Sequence, residues 1–80
     1  MEIKRETEKA VLVTVKIELC NIEREVSRDV WFPKSQLDKD GNPNEWIVAR
    51  KWEELRDELE ARHGYGLGIL LTSIGGVSWI

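Results

Sequence analysis

The stretch AVLVTVKIEL, residues 10–19, constrains the fold of this chain more than any other part of its sequence. Apolar side chains stand at every second position, and polar or charged ones fill most positions between them. A period of two with many β-branched residues predicts a strand with one buried face. The apolar positions are Val11, Val13, Val15, Ile17 and Leu19. We therefore expect this strand to lie in the core of the domain.

A second strand is predicted to follow a turn near Asn21, so that the two strands cover about residues 10–20 and 22–32 and pair antiparallel. The apolar positions of the second strand are Ile22, Val26, Val30 and Phe32, and they are interrupted by Arg24 and Arg28. Pro33 has no N–H to donate, so it is expected to end this strand. The charged run at residues 2–9 predicts a short edge strand or an ordered tail.

One amphipathic helix is predicted over about residues 43–63. Asn42 as N-cap, Pro43 at the first helical position and Glu45 three residues after the cap form a capping-box signature. An apolar stripe follows at helical spacing, and it consists of Val48, Trp52, Leu55 and Leu59. Gly64 is expected to end the helix.

The last 17 residues, 64–80, carry none of the 27 charged side chains of the sequence. Gly75 and Gly76 separate two apolar runs and predict a C-terminal hairpin of buried strands over about residues 67–80. The alternative is a membrane-spanning helix, which requires about 20 predominantly apolar residues. This stretch is shorter and contains five glycines, so buried strands are favoured and no membrane partner is expected.

Together these elements predict a single α+β domain over residues 1–80. We expect a small antiparallel sheet of four to five strands with one amphipathic helix packed on one face. The four tryptophans are expected to add core mass to a chain near the lower size limit for a stable domain. Cys20 is the only cysteine, which suits a reducing cytoplasm. The first ten residues have no apolar run of signal-peptide length, so secretion is not expected.

No set of residues in the sequence resembles catalytic machinery. Ser35 has no flanking glycine of a nucleophile elbow, and His63 and Cys20 have no zinc-ligand spacing around them. We therefore expect no enzyme activity, no metal and no cofactor. The net charge of −3 also disfavours a protein that relies on bulk attraction to phosphates.

The segment VWFPKSQL, residues 30–37, is the strongest candidate for a binding surface. Trp31 and Phe32 fall on opposite faces of the second strand, so one is expected in the core. An exposed Trp31 would offer a stacking platform for a nucleic-acid base. The candidate binding residues are Arg24, Arg28, Trp31, Lys34 and Gln36. The favoured alternative is that the helix or the C-terminal strands cover Trp31.

Three segments together resemble a group of short phage and prophage proteins: ETEKAVLV at residues 6–13, VWFPKSQL at 30–37 and PNEW at 43–46. The resemblance covers roughly residues 6–52. It implies a phage or prophage setting and a small β-rich domain with a helix, and it brings no established activity with it. The long helix and the glycine-rich C-terminus of this chain depart from the pattern of that group.

Three functional hypotheses follow. The first is a non-catalytic phage-type accessory protein in the host-cell cytoplasm that binds a protein partner or forms a homodimer. The second is a single-stranded nucleic-acid-binding module that uses Trp31 and the nearby basic residues. The third is a phage inhibitor of a host defence or regulatory protein, with an acidic helix face that imitates a phosphate backbone. That face consists of Glu53, Glu54, Asp57, Glu58 and Glu60.

Overall fold

The computed structural model describes residues 1–66 and 68–78, which form a five-stranded antiparallel sheet and one α-helix. The strands are β1 (Arg5–Glu6), β2 (Ala10–Leu19), β3 (Arg24–Pro33), β4 (Ile69–Ile74) and β5 (Val77–Ser78), and the helix is α1 (Glu45–His63). Two short 3-10 turns, Cys20–Ile22 and Lys34–Gln36, follow β2 and β3. The α+β prediction, with one helix and a sheet of up to five strands, is confirmed.

β2 is the central strand of the sheet. β3 pairs with it along its whole length, from Ala10 opposite Pro33 to Leu19 opposite Arg24. The other side of β2 is shared by β1 near the start of the strand and by β4 near its end, and β5 extends the sheet beyond β4. β3 therefore forms one edge of the sheet, since no other described strand pairs with it.

The core lies between α1 and one face of the sheet. All five apolar positions predicted for β2 are buried, and so are Val30 and Phe32 of β3. Val48 and Leu59 of the predicted helical stripe are fully covered, whereas Trp52 and Leu55 pack against the core from its rim. The other buried apolar residues are Ile47, Leu71 and Ile74. The helix thus covers one sheet face and leaves the opposite face open.

The start of the helix differs from the predicted capping box. The N-cap is Asn44, whose carbonyl accepts the first intrahelical bond from Val48 N at 3.2 Å, and no side chain caps this end. Asn42 instead belongs to a loop in which the Asp38 carboxylate accepts hydrogen bonds from the N–H groups of Asp40 and Asn42. The local carboxylate therefore competes successfully for the backbone of Asn42. Gly64 ends the helix as predicted.

The turn between β2 and β3 takes more residues than the sequence indicated. Ile22 was expected on the apolar face of the second strand, but it lies in the 3-10 turn and is 47% exposed. The strand begins only at Arg24, after Glu23 adopts a left-handed φ of 48°. The predicted hairpin forms around Gly75 and Gly76, but only β4 contributes buried residues, and both residues of β5 are exposed, so the expectation of two buried strands is wrong for β5. The part of the hairpin at residues 67 and 79–80 lies outside the described residues.

The tryptophans contribute less to the core than expected. Trp46 is 53% exposed and Trp31 is 42% exposed, while Trp52 is partly buried and Trp79 lies outside the described residues. The expectation that other elements cover Trp31 is therefore wrong, because α1 packs on the opposite face of the sheet. Aliphatic side chains and Phe32 fill the core instead. In the described part of the chain, no helix is both long enough and apolar enough to span a membrane.

Candidate functional site

The outer edge of β3 carries a row of outward-facing backbone groups. Lys34 N donates to Lys9 O at 2.8 Å, in register with the β2–β3 ladder. Because hydrogen-bonded and non-hydrogen-bonded pairs alternate in an antiparallel ladder, the even-numbered residues of β3 direct their N–H and C=O groups at β2. The odd-numbered residues Glu25, Ser27, Asp29 and Trp31 consequently direct theirs away from the sheet.

The other side of β2 gives the same alternation independently. The carbonyls of two even-numbered β2 residues accept bonds there: Leu12 O from Lys4 N at 2.8 Å, and Thr14 O from Gly75 N at 2.9 Å. The odd-numbered residues of β2 must therefore face β3, which agrees with the register. Among the described residues, one side chain forms a hydrogen bond with an outward-facing backbone group of β3: Arg28 Nη1 donates to Ser27 O at 2.9 Å.

An open groove of about 350 Å³ runs between this edge and the helix. One wall is the segment Arg28–Trp31 of β3, and the other consists of Lys51, Glu54, Leu55 and Glu58 of α1. Of the residues with outward-facing backbone groups, Asp29 and Trp31 line this groove. A groove with an unpaired strand on one side and a mixed apolar and charged helix face on the other suits an extended peptide chain.

Arg28 fixes the helix against this edge. Its Nε lies 3.2 Å from Glu58 Oε1 and 3.0 Å from Glu58 Oε2, so one guanidinium N–H is shared between both carboxylate oxygens. The Arg28 side chain is only 26% exposed, because its methylene groups lie along the apolar face of the sheet. An arginine on the apolar face of β3 thus has a structural partner on α1.

Asp29 organises the opposite, open face of the sheet. Its carboxylate accepts hydrogen bonds from Lys4 Nζ at 2.7 Å and from Thr14 Oγ1 at 2.9 Å. These two hydrogen bonds, together with the positive charge of Lys4, hold the pKa of the Asp29 carboxyl below its usual value, and partial desolvation opposes the shift. The charged form of Asp29 therefore joins β3 to the N-terminal segment.

The lowered pKa of Asp29 predicts an acid-dependent contribution to stability. A carboxyl whose pKa is depressed by folding stabilises the fold above its unfolded-state pKa and loses that contribution as the pH falls through the folded-state pKa. We expect Asp29→Asn to lower the free energy of unfolding at neutral pH, with the difference from wild type shrinking below pH 3.8, the ordinary value. Urea titrations at several pH values measure this difference in the free energy of unfolding. Asp57→Asn, on the exposed helix surface, is the control, and an equal response of both variants would contradict this role.

The five predicted binding residues are divided between the two faces of the sheet and the following turn. Arg24 and Arg28 lie on the helix side of β3, whereas Trp31 lies on the open side. Lys34 pairs with Glu6, with Nζ 2.7 Å from Oε2. Gln36 contributes a backbone carbonyl that accepts a bond from Asn44 N at 2.9 Å. The structure thus brings Arg28 and Trp31 to one edge but not to one face.

The acidic face predicted for α1 is partly engaged within the chain. Glu58 pairs with Arg28, and Glu60 lies 3.9 Å from Arg56 Nε. Its role as a phosphate mimic stays a prediction. In residues 1–66 and 68–78, no group of three or more His, Cys, Asp or Glu side chains is placed to hold a metal ion.

Sequence reasoning expected open sheet edges but did not locate them. The signal was present in β3, because charged residues on both strand faces and a proline at the strand end are typical of edge strands. Comparison of the chain with protein-family models, with curated proteins and with solved structures finds no match. The functional argument therefore rests on the geometry of this edge and groove.

Proposed function

We propose that this protein is a non-catalytic interaction domain that binds an extended protein segment as an additional strand along β3. The observation that carries the proposal is the outer edge of the ten-residue strand β3, along which no described strand pairs and which borders the groove at residues 28–31. Main-chain hydrogen bonds provide affinity in this mode of recognition, and side-chain pockets provide specificity.

Charged residues on both faces, including Arg28 on the helix side, and the terminal Pro33 are features that protect sheet edges, but β3 is neither short nor interrupted, and no described strand covers its outer edge. Natural proteins shorten such strands, interrupt them with bulges or cover them with a loop or helix. β3 pairs with β2 in continuous register over ten residues, and its proline lies at the last position, opposite Ala10. An accessible, unbroken edge of this length supports strand addition as the function.

Ser27 provides a matched pair of variants that tests the proposal. Its N–H points away from β2, so Ser27→Pro removes an outward donor while leaving the β2–β3 ladder intact. Ser27→Ala keeps that N–H. Random displayed peptides are selected for binding to the wild-type protein. They should bind Ser27→Ala with unchanged affinity and Ser27→Pro at least tenfold more weakly, a loss of about 1.4 kcal/mol in binding free energy. Equal binding by both variants, or failure of a monomeric wild-type protein to select any peptide, would contradict the proposal.

Single-stranded nucleic-acid binding is the second candidate, and the exposure of Trp31 favours it. Base stacking on such a ring contributes about 1–3 kcal/mol per base. Against it, two of the predicted phosphate ligands, Arg28 and Lys34, are already paired with carboxylates. Its signature would be salt-sensitive oligonucleotide binding that Trp31→Ala abolishes, whereas a protein-binding edge predicts binding that depends on the Ser27 N–H.

The proposed setting comes from the resemblance alone. The three segments at residues 6–13, 30–37 and 43–46 resemble those of short phage and prophage proteins, and this resemblance supports a role as a phage accessory protein in the host-cell cytoplasm. Binding an extended segment of a protein is compatible with that setting, and it requires neither a metal nor a cofactor.

A further inference from the structure

We infer that the strand bound by β3 is the β3 of a second copy of this chain, paired antiparallel with Arg28 opposite Arg28. The inference rests on the proposed strand addition and specifies its partner. It predicts a two-fold symmetric dimer with one continuous sheet and both helices on the same face. The side chains of β3 are complementary to those of a second β3 in one register and less so in the neighbouring ones.

The outward backbone groups restrict the possible registers. The residues of β3 with outward backbone groups are all odd-numbered, namely Glu25, Ser27, Asp29, Trp31 and, through its carbonyl alone, Pro33. An added copy of β3 must therefore pair odd-numbered residues with odd-numbered ones. A shift by one residue would also place apolar side chains on the open face. The two-fold axis must therefore pass beside one residue, and the candidates near the middle of the strand are Ser27, Arg28, Asp29 and Val30.

Three of these registers are unfavourable. An axis beside Ser27 places Glu25 opposite Asp29 of the second copy, and this like-charge pair occurs twice. An axis beside Asp29 places that carboxylate, which Lys4 of its own chain partners, opposite its own copy, and it also places Pro33, which has no N–H, opposite Glu25 and the charged Arg28 opposite Val30. Like charges directly opposite each other destabilise a ladder. An axis beside Val30 shortens the ladder and places Pro33, which has no N–H, opposite an outward residue.

The register with Arg28 at the axis pairs compatible side chains. On the helix side, Val26 lies opposite Val30 of the second copy, next to Leu55 in the groove, so the apolar layer continues across the interface. On the open side, Ser27 lies opposite Asp29, where a hydroxyl can donate to a carboxylate. Each of the four residues with an outward N–H exchanges backbone hydrogen bonds with its counterpart.

The single like-charge pair in this register is already neutralised. Each Arg28 is held by the carboxylate of Glu58 in its own chain. Bringing two such pairs together forms a cluster of two guanidinium and two carboxylate groups around the axis. Glu54 adds a further carboxylate to each groove wall. Lys51 in the same wall offsets Glu54, so the charge around the axis is balanced, and the ladder can extend over residues 24–32 of both copies.

Cysteine pairs test both the partner and the register. Cys20 is exposed and free, so Cys20→Ser is the background for Ser27→Cys and Asp29→Cys. In the proposed register residues 27 and 29 face each other, with Cα atoms about 5.5 Å apart, which is within reach of a disulfide. Residue 27 of one copy and residue 27 of the other are offset by two residues along the strands, and so are the two residues 29, which places each such pair beyond the reach of a disulfide. Mild oxidation should therefore crosslink the mixture of both variants and neither variant alone.

Sedimentation of the wild-type protein gives the independent measurement. We expect the wild-type protein and Ser27→Ala to sediment with twice the chain mass of 9.3 kDa. Ser27→Pro should sediment with the mass of a single chain. A crosslink formed by Ser27→Cys alone or Asp29→Cys alone would overturn the register. A dimer that Ser27→Pro leaves intact would place the interface elsewhere and overturn the inference.

Peptide binding separates failure of this inference from failure of the proposed function. A wild-type protein that stays monomeric over the whole concentration series, yet binds displayed peptides through the Ser27 N–H, would exclude the second copy as partner and keep strand addition. A monomer that binds no peptide would overturn both. Circular dichroism of each variant confirms that a lost dimer reflects a lost interface and not a lost fold.

Discussion

Replacing Phe32 with alanine is expected to lower the free energy of unfolding by about 3–5 kcal/mol. Phe32 is 1% exposed, lies opposite Val11 in the β2–β3 ladder and is the largest of the fully buried side chains. Removal of its ring leaves a cavity beneath α1, at a site that Val48 and Leu55 also line. Because small domains have total stabilities of about 5–15 kcal/mol, this one change could unfold much of the population.

Urea denaturation followed by circular dichroism measures this effect. Tyr65→Ala is the control, because Tyr65 is 82% exposed and its loss should change the free energy of unfolding by no more than about 0.5 kcal/mol. A Phe32→Ala variant as stable as the control would mean that the aromatic ring is not part of the core.

The strands and helix with a regular period were predictable from the sequence, and their ends were not. Alternation in residues 10–19 placed every buried residue of β2 correctly, because a half-buried strand requires that pattern. The helix start was displaced because the Asp38 carboxylate binds the Asn42 backbone, a local competition that the capping pattern does not reveal. The start of β3 was displaced by Glu23, whose left-handed conformation is unusual for a residue other than glycine.

The candidate site was less predictable, because an edge is a property of topology. Whether the backbone of β3 is free depends on which strands pair with β2 on its other side, and these come from residues 5–6 and 69–74 at the two ends of the chain. The same long-range arrangement decides that α1 covers the face of Phe32 and leaves Trp31 exposed. The charge pattern of β3 is typical of an edge strand, but only the register shows which backbone groups face outward.

Arg28 shows how one residue serves both the fold and the proposed interface. In the sequence it interrupts an apolar face and was assigned to phosphate binding. In the structure it ties β3 to α1 through Glu58 and also donates to the Ser27 carbonyl at the free edge. A carbonyl oxygen has a second lone pair, so this bond leaves Ser27 able to accept from an added strand.

Gly75→Ala is the second change with a large expected effect, about 2–5 kcal/mol of destabilisation. Gly75 has a φ of 56° in the tight turn between β4 and β5, and a side chain in this left-handed conformation costs about 1–2 kcal/mol. In addition, an added Cβ would lie 2.7 Å from Val13 Cγ1 and 3.0 Å from Glu2 O. These neighbours belong to the buried strand and the N-terminal backbone, so relieving the overlap costs about a further 1–3 kcal/mol.

Gly76→Ala separates the two causes. Gly76 also has a positive φ, 81°, but the nearest atom to an added Cβ is Glu2 Oε2 at 3.8 Å, which is ordinary contact. Gly76→Ala should therefore lower the free energy of unfolding only by the cost of the left-handed conformation, about 1–2 kcal/mol. Urea titrations of both variants measure the difference, which isolates the packing of Gly75 against β2 and the N-terminal segment. Equal destabilisation of the two variants would show that the turn conformation alone requires glycine here.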